Sequence, residues 1–220
     1  MSVWAVLAAA GSGERLGARQ PKAFVRLGHR PLLGESLERL DASDWIDAIV
    51  VATPPGWEEP AILLAEELGC GKVSVAVAGG ATRTQSVRNA VAEVPGDALV
   101  IVVHDAARPL LPNDVIARVL GGLNEGWDGV VPVLPVADTV KRVDGDRVVE
   151  TVERSSLRTV QTPQAFVADV FKRALDVDGD WTDCAAAVEA AGGRVKVVAG
   201  DPRLLKITSA EDLERVAALL

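Results

Sequence analysis

Cysteine is nearly missing from this chain. Cys70 and Cys184 stand far apart without metal-ligand spacing, so both read as small apolar residues. Tyrosine is absent altogether, and nothing in the pattern of the sequence explains why. Histidine occurs only as His29 and His104, and no serine or cysteine nucleophile motif accompanies either. That argues against a catalytic triad. No apolar run approaches the ~20 residues needed to cross a bilayer. The first basic residue, Arg15, follows the first apolar run rather than preceding it, unlike a secretory signal. The expected location is therefore the cytoplasm. Positive charge is also in deficit: 23 Lys and Arg stand against 31 Asp and Glu, a net charge of −8. Such a chain is not expected to bind nucleic acid or anionic membrane nonspecifically. An anionic small molecule is not excluded, because screening over about 8 Å leaves a local cationic cluster to decide binding. No internal repeat or low-complexity tail is visible.

What the chain does contain is an alternation of valine-rich runs and amphipathic stretches over 220 residues, most simply one domain spanning 1–220. Strands are expected at Val3–Ala8, Ala48–Ala52, Val73–Val77, Ala98–Val103, Gly129–Val133 and Val195–Val198. Most are continuous apolar runs, the pattern of strands covered on both faces. Helical patterns lie between them at Leu32–Leu40, Glu58–Leu68, Gln85–Glu93 and Asn113–Leu123. A last helix opens at Ser209 with Asp212 as a capping-box acid. This rhythm predicts an α/β fold, a mostly parallel sheet flanked by helices, with ligands outside the carboxyl ends of its strands. Val136–Val143 and Arg147–Val152 break the rhythm and alternate around Asp144-Gly-Asp146, a hairpin signal. Spacing leaves open whether this hairpin folds on its own domain or projects as an arm. An isolated hairpin is marginal in water, so a projecting one suggests a dimer.

The first strand breaks into Gly11, Gly13 and Gly17, and Arg15, Arg19 and Lys22 are interspersed with or follow them. Glycine lets backbone N–H groups approach an anion, and cations on such a loop neutralise phosphate charge. The P-loop pattern G-x-x-x-x-G-K-[ST] is absent. The dinucleotide pattern G-x-G-x-x-G fails because Leu16 occupies the third glycine position. The segment therefore reads either as a polyphosphate cradle of another type or as an ordinary strand-to-helix turn.

Further polar clusters fall where strands should end. Ala78-Gly-Gly-Ala-Thr-Arg-Thr-Gln-Ser-Val87 follows one strand and His104-Asp-Ala-Ala-Arg-Pro109 another. Asp105 suits a metal or hydroxyl contact and Arg108 suits phosphate, though the two could simply pair with each other. Asp138-Thr139, Glu153-Arg154, Gln161-Thr-Pro-Gln164, Trp181-Thr-Asp183 and Leu205-Lys-Ile-Thr208 follow. Lys206 sits between apolar residues at the end of an expected strand, where a lysine often points at a site or snorkels.

Taken in order, these blocks resemble the 2-C-methyl-D-erythritol 4-phosphate cytidylyltransferases of the non-mevalonate isoprenoid pathway. The likeness rests on Ala-Ala-Gly-x-Gly-x-Arg with Pro-Lys downstream, Val-x-Gly-Gly-x-x-Arg-x-x-Ser, His-Asp-Ala-Ala-Arg-Pro, Asp-Thr-Val-Lys-Arg, Gln-Thr-Pro-Gln and Leu-Lys-Ile-Thr. The first block is shared with many sugar-nucleotide transferases; the later ones are more selective. The resemblance implies a Rossmann-like nucleotidyltransferase fold with residues 136–154 as a projecting β-hairpin arm of a homodimer. It implies transfer of CMP from CTP to methylerythritol phosphate with release of pyrophosphate, assisted by Mg²⁺ held mainly through the CTP phosphates. The nearest rival is a cytidylyltransferase for another polyol phosphate such as ribitol 5-phosphate.

By the same resemblance, Ala9, Ala10, Gly11, Gly13, Gly80 and Ser86 hold the nucleotide. Arg15 and Lys22 stabilise charge on the α-phosphate. Asp105, Arg108, Thr162 and Lys206 bind or orient the acceptor, and Thr139 and Arg154 reach it from the other subunit's arm. Two positions depart from the family's usual pattern: Ala81 and Cys184 stand where an acid is common.

Overall fold

The computed structural model describes residues 2–13 and 20–220. In chain order its strands are β1 (Val3–Ala8), β2 (Arg26–Leu27), β3 (Arg30–Pro31), β4 (Ala48–Thr53), β5 (Val73–Ala78), β6 (Val100–Asp105), β7 (Gly129–Pro135), β8 (Val140–Asp144), β9 (Arg147–Val152), β10 (Arg158–Val160), β11 (Gln164–Val167) and β12 (Val195–Ala199). The helices are α1 (Leu32–Asp41), α2 (Glu58–Glu67), α3 (Arg83–Ala92), α4 (Asn113–Leu123), α5 (Ala168–Leu175), α6 (Cys184–Ala190) and α7 (Ala210–Ala217).

All six expected strands form, and they lie in one sheet. Its centre is β5-β4-β1-β6, paired in parallel, with β1 and β6 in register from Val3↔Val100 to Ala8↔Asp105. Beyond β6 the short strand β11 runs antiparallel between β6 and β7, and β12 pairs in parallel with the far side of β7. The continuous apolar runs are explained by the two layers that cover them. Leu33, Leu37 and Leu40 of α1, Ala61 of α2 and Ile116 and Val119 of α4 pack on one face. Val87 and Ala90 of α3, Phe171 of α5 and Val188 of α6 pack on the other. Phe166 of β11 stacks on Phe171 at 4.4 Å between ring centroids. Gly129 makes room for it, since a Cβ there would lie 2.7 Å from the Phe166 ring.

Six elements lie outside the sequence-based expectation: β2, β3, β10, β11, α5 and α6. Lys206 is expected at the end of a strand, but the strand β12 ends at Ala199 and the segment carrying Lys206 is irregular, with Ile207 donating its N–H to Ala107 O. The hairpin forms as β8 and β9, its first strand beginning at Val140 rather than Val136. It is a sheet of its own, and every residue from Lys141 to Thr151 is exposed.

The last helix has the capping box its sequence suggests. Ser209 Oγ accepts from Asp212 N, and the Asp212 carboxylate accepts from Ser209 N and from both the N–H and the hydroxyl of Thr208. The Thr208 hydroxyl, then the Thr208 and Ser209 N–H groups, hold Asp212 down to about 2 against slight burial. A carboxylate depressed in the folded state stabilises above its unfolded pKa of about 4, and the benefit is lost as pH falls through the folded value. Asp212→Asn should therefore lower unfolding free energy at pH 7 by about 1 kcal/mol. In urea titrations the gap from the unaltered chain should narrow between about pH 4 and pH 2.

Candidate functional site

Parallel strands bring their carboxyl ends to one edge, and the loops leaving β1, β5 and β6 meet there. They enclose a cleft of about 830 Å³. Its walls include Ala9, Ala10, Gly11, Gly13, Lys22, Gly80, Ser86, Asp105 and Lys206, nine of the residues singled out in the sequence. Arg15 lies outside the described residues. Arg108, Thr139, Arg154 and Thr162 do not line the cleft. Among the described lining residues the ionisable side chains are Lys22, Arg83, Lys206 and Asp105, three cations against one anion. The cleft thus carries +2 in a chain whose net charge is −8.

Each wall is held by local hydrogen bonds. In the β1 loop Gly13 has φ +76°, and a Cβ there would come within 2.8 Å of Lys22 Cβ. Only glycine lets this loop close against the 3₁₀ turn Lys22–Phe24 that carries the lysine. Gly11 differs: a Cβ there would meet nothing within 4 Å, so its surroundings are open cleft. In the β5 loop, Gly79 N donates to Thr53 O, Gly80 N to Ser86 Oγ and Ala81 N to Gln85 Oε1. Ser86 Oγ donates its own proton to Thr82 O, and Thr82 Oγ1 caps α3 by accepting from Gln85 N. Ser86 is therefore a buried strut of this loop. A Cβ on Gly79 would stand 2.4 Å from that of Ala10, so the two loops touch at a point where only a missing side chain fits.

At the end of β6, Asp105 is buried with both carboxylate oxygens engaged. Oδ1 accepts from Arg83 Nε at 3.1 Å and Nη2 at 2.9 Å, and Oδ2 accepts from Lys206 Nζ at 2.9 Å. Burial alone would raise the Asp105 pKa, but Arg83 and then Lys206 overcome it and hold the group well below the usual carboxylate range. The mutual pair of Asp105 and Arg108 weighed from sequence does not form. Arg108 instead directs its guanidinium to the carbonyls of Leu204 and Val160, and burial lowers its pKa. Thr162 lies behind Asp105, its hydroxyl accepting from Asp105 N. Thr139 and Arg154 are exposed near the root of the hairpin.

Sequence reasoning missed one site residue. Arg83 reaches from α3 to Asp105, and its third branch donates to Cys184 Sγ at 3.3 Å, a thiol whose pKa burial raises. The quoted motif contained Arg83, but only as spacing. Asp183, beside it, caps α6 by accepting from Ala186 N and takes a second bond from Gln164 Nε2. Gln164 Oε1 in turn accepts from Cys184 N. These bonds give the Gln161-Thr-Pro-Gln164 and Thr182-Asp183 blocks a structural use, fastening β11 to α6.

Glycine loops at the carboxyl ends of β1 and β5, facing a cationic cleft, define an α/β protein of the nucleotidyltransferase class. Comparison with known proteins narrows this. The sequence matches the family described as IspD, 2-C-methyl-D-erythritol 4-phosphate cytidylyltransferase, over residues 3–220, and the chain belongs to that family. The 2-C-methyl-D-erythritol 4-phosphate cytidylyltransferase of Nocardia farcinica is 46% identical over 220 residues, covering 100% of this chain and 94% of the relative. That of Saccharopolyspora erythraea is 48% identical over 225 residues, covering 100% of both. The crystal structure of the Thermus thermophilus enzyme of that name superposes with a TM-score of 0.79 at 33% identity, covering 97% of this chain and 96% of that one. That of Francisella tularensis does so with a TM-score of 0.85 at 26% identity over 100% of each.

Removing Arg83 leaves buried Asp105 with Lys206 as its remaining counter-charge, and loss of a partner from such a buried ion pair costs about 3 kcal/mol. Arg83→Gln is expected to lower stability by about that amount in urea unfolding, and Arg83→Lys, which keeps the charge but loses the fork, by less.

Proposed function

We propose that this chain joins CTP to 2-C-methyl-D-erythritol 4-phosphate, releasing pyrophosphate, and does so as a homodimer. Family membership supplies the reaction, and the observation that carries its placement is the cation-lined cleft at the ends of β5, β1 and β6. The β5 loop has the N–H groups of Gly79, Gly80 and Ala81 already bonded inside the protein. It therefore suits the base and sugar rather than phosphate. The triphosphate belongs with Gly11, Gly13 and Lys22, and the acceptor with Asp105 and Lys206. Arg15 joins Lys22 in this proposal.

The attacking atom is a phosphate oxygen, already a competent nucleophile, so no general base is needed. Two anions must meet in line while charge spreads over the reacting phosphorus. Catalysis is then positioning plus electrostatic stabilisation by Lys22 and Arg15, with Lys206 drawing in the acceptor phosphate. Among the described residues no three His, Cys, Asp or Glu side chains converge on a metal position, and both Asp105 oxygens are in ion pairs. This donor set fits a Mg²⁺ carried by the triphosphate itself. Bound there, the ion neutralises charge on the phosphates and the departing pyrophosphate.

The chain serves as one domain, with residues 136–154 as the arm. Val143, Val148 and Val149 of the hairpin are all more than half exposed, an apolar surface unsuited to an isolated hairpin in water. A second copy of the chain would cover it. Thr139 and Arg154 are exposed outside their own cleft, which suits a role in the partner's. No helix among the described residues is long and apolar enough to cross a membrane. The composition argues against nucleic acid as a partner, and a cytoplasmic location is the natural setting for a CTP-dependent step.

Pyrophosphate release should be seen with CTP and methylerythritol phosphate and not with ribitol 5-phosphate; the reverse preference would overturn the assignment of acceptor. Lys22→Ala should lower kcat by about 10²-fold, as loss of a transition-state donor does. Turnover within a few-fold of the unaltered chain would remove Lys22 from the reaction. Arg154→Ala and Lys22→Ala proteins, each inactive alone, should regain partial activity after subunit exchange. Verified mixed dimers that stay inactive would show that the arm does not complete a neighbouring site.

A further inference from the structure

We infer that His104 is a positioning residue: its neutral imidazole, protonated on Nε2, locks the turn bearing Asp105 and Arg108 to the segment bearing Thr162. The direction of each bond follows from chemistry. His104 Nε2 lies 3.0 Å from Arg108 O, and a carbonyl can only accept, so Nε2 carries the proton. Nδ1, 3.0 Å from Thr162 Oγ1, is then the acceptor, and the threonine hydroxyl donates to it. That leaves Thr162 Oγ1 free to accept from Asp105 N at 3.1 Å. The relay runs from Asp105 N–H through Thr162 and His104 to the carbonyl of Arg108. It closes a ring around the first turn after β6.

Every link is buried: His104 is 0% exposed, Thr162 4% and Asp105 6%. The imidazole cannot reach the cleft to exchange protons with a substrate. Burial pushes its pKa down to about 4, opposed by Asp105 and the Arg108 carbonyl and helped by Arg108 and Arg83. Those charges and Thr162 are the groups that face it. A protonated ring would present Nδ1–H to Thr162, forcing that hydroxyl to turn its own proton away. The ring is thus a fixed neutral connector, and what it fixes is the angle at which Asp105 holds Lys206.

Two measurements test this. The chain has only His29 and His104, so ¹⁵N-histidine spectra contain two residues, assigned with His29→Gln. His104 should show the Nε2–H tautomer unchanged from pH 5 to pH 8; the Nδ1–H tautomer or an imidazolium at pH 7 would overturn the inference. In kinetics, His104→Phe fills the space without polar atoms and should lower kcat/KM for the acceptor about tenfold or more. KM for CTP should stay within about threefold, because the nucleotide loops are held by their own bonds. His104→Gln keeps a donor for Arg108 O and should recover part of the loss. Acceptor kinetics of His104→Phe matching the unaltered protein, or equal loss toward both substrates, would overturn the inference. The kinetic arm rests on placing the acceptor beside Asp105, and Lys206→Gln is its control. Should that variant leave acceptor KM unchanged, the placement fails, and the tautomer alone then decides the role of His104.

Discussion

Asp105 is a carboxylate almost closed off from water, and an isolated charge in such a place would give up its ionisation. It remains charged because Arg83 and Lys206 take one oxygen each. The two cations come from positions 22 and 101 residues away in the chain, so the ion pairs can form only after β6, α3 and the segment following β12 have met. A buried pair of this kind adds little net stability, since desolvation consumes most of the attraction. What it does is specify: with α3 or the Lys206 segment misplaced, buried Asp105 loses one of its two counter-charges. The same triplet sets the sign of its end of the cleft, two positive charges against one negative.

The parallel sheet was legible because its central strands β1, β4 and β6 are covered on both sides. Val3–Ala8 and Val100–Asp105 need apolar residues at nearly every position, which produces the valine runs. The strand β11 was not legible for the opposite reason. Four residues, Gln164–Val167, inserted antiparallel between two longer strands, carry too short a run to show a period. Helix α6 is mostly alanine, and its start depends on Asp183 as cap, a residue set down in the sequence only as part of a motif. Lys206 shows the limit of local pattern. Its apolar neighbours suggest a strand, yet Leu205 is exposed and Ile207 packs with Leu27 and Leu110 in a separate small cluster.

The candidate site was readable to the extent that glycine and small residues mark close approach. Gly13 and Gly79 sit where a Cβ would strike Lys22 or Ala10, so their identity records tertiary contact. Ionic partners leave no such local mark. Nothing near Arg83 in sequence announces Asp105 or Cys184, and the alternative pairing of Asp105 with Arg108, only three residues away, is the natural guess. The fold rejects it because the carbonyls of Leu204 and Val160 take up the Arg108 guanidinium, leaving Asp105 at the end of β6 to meet α3.

Hydrogen-bond occupancy gives the cleft a direction that charge alone would not. A triphosphate needs donors, and the β5 loop has already committed the N–H groups of Gly79, Gly80 and Ala81 to Thr53, Ser86 and Gln85. A ligand at that wall must therefore be recognised through acceptors and shape, which suits an amino-bearing base lying against small residues. The cations Lys22 and Lys206 lie on other elements, on the turn after the β1 loop and the strap after β12. A nucleotide anchored by its base at the β5 loop would thus extend its phosphates toward two positive charges rather than into a wall of occupied donors. The proposed order of base, α-phosphate and acceptor phosphate thus rests on the donors the β5 loop has already committed and on where Lys22 and Lys206 stand.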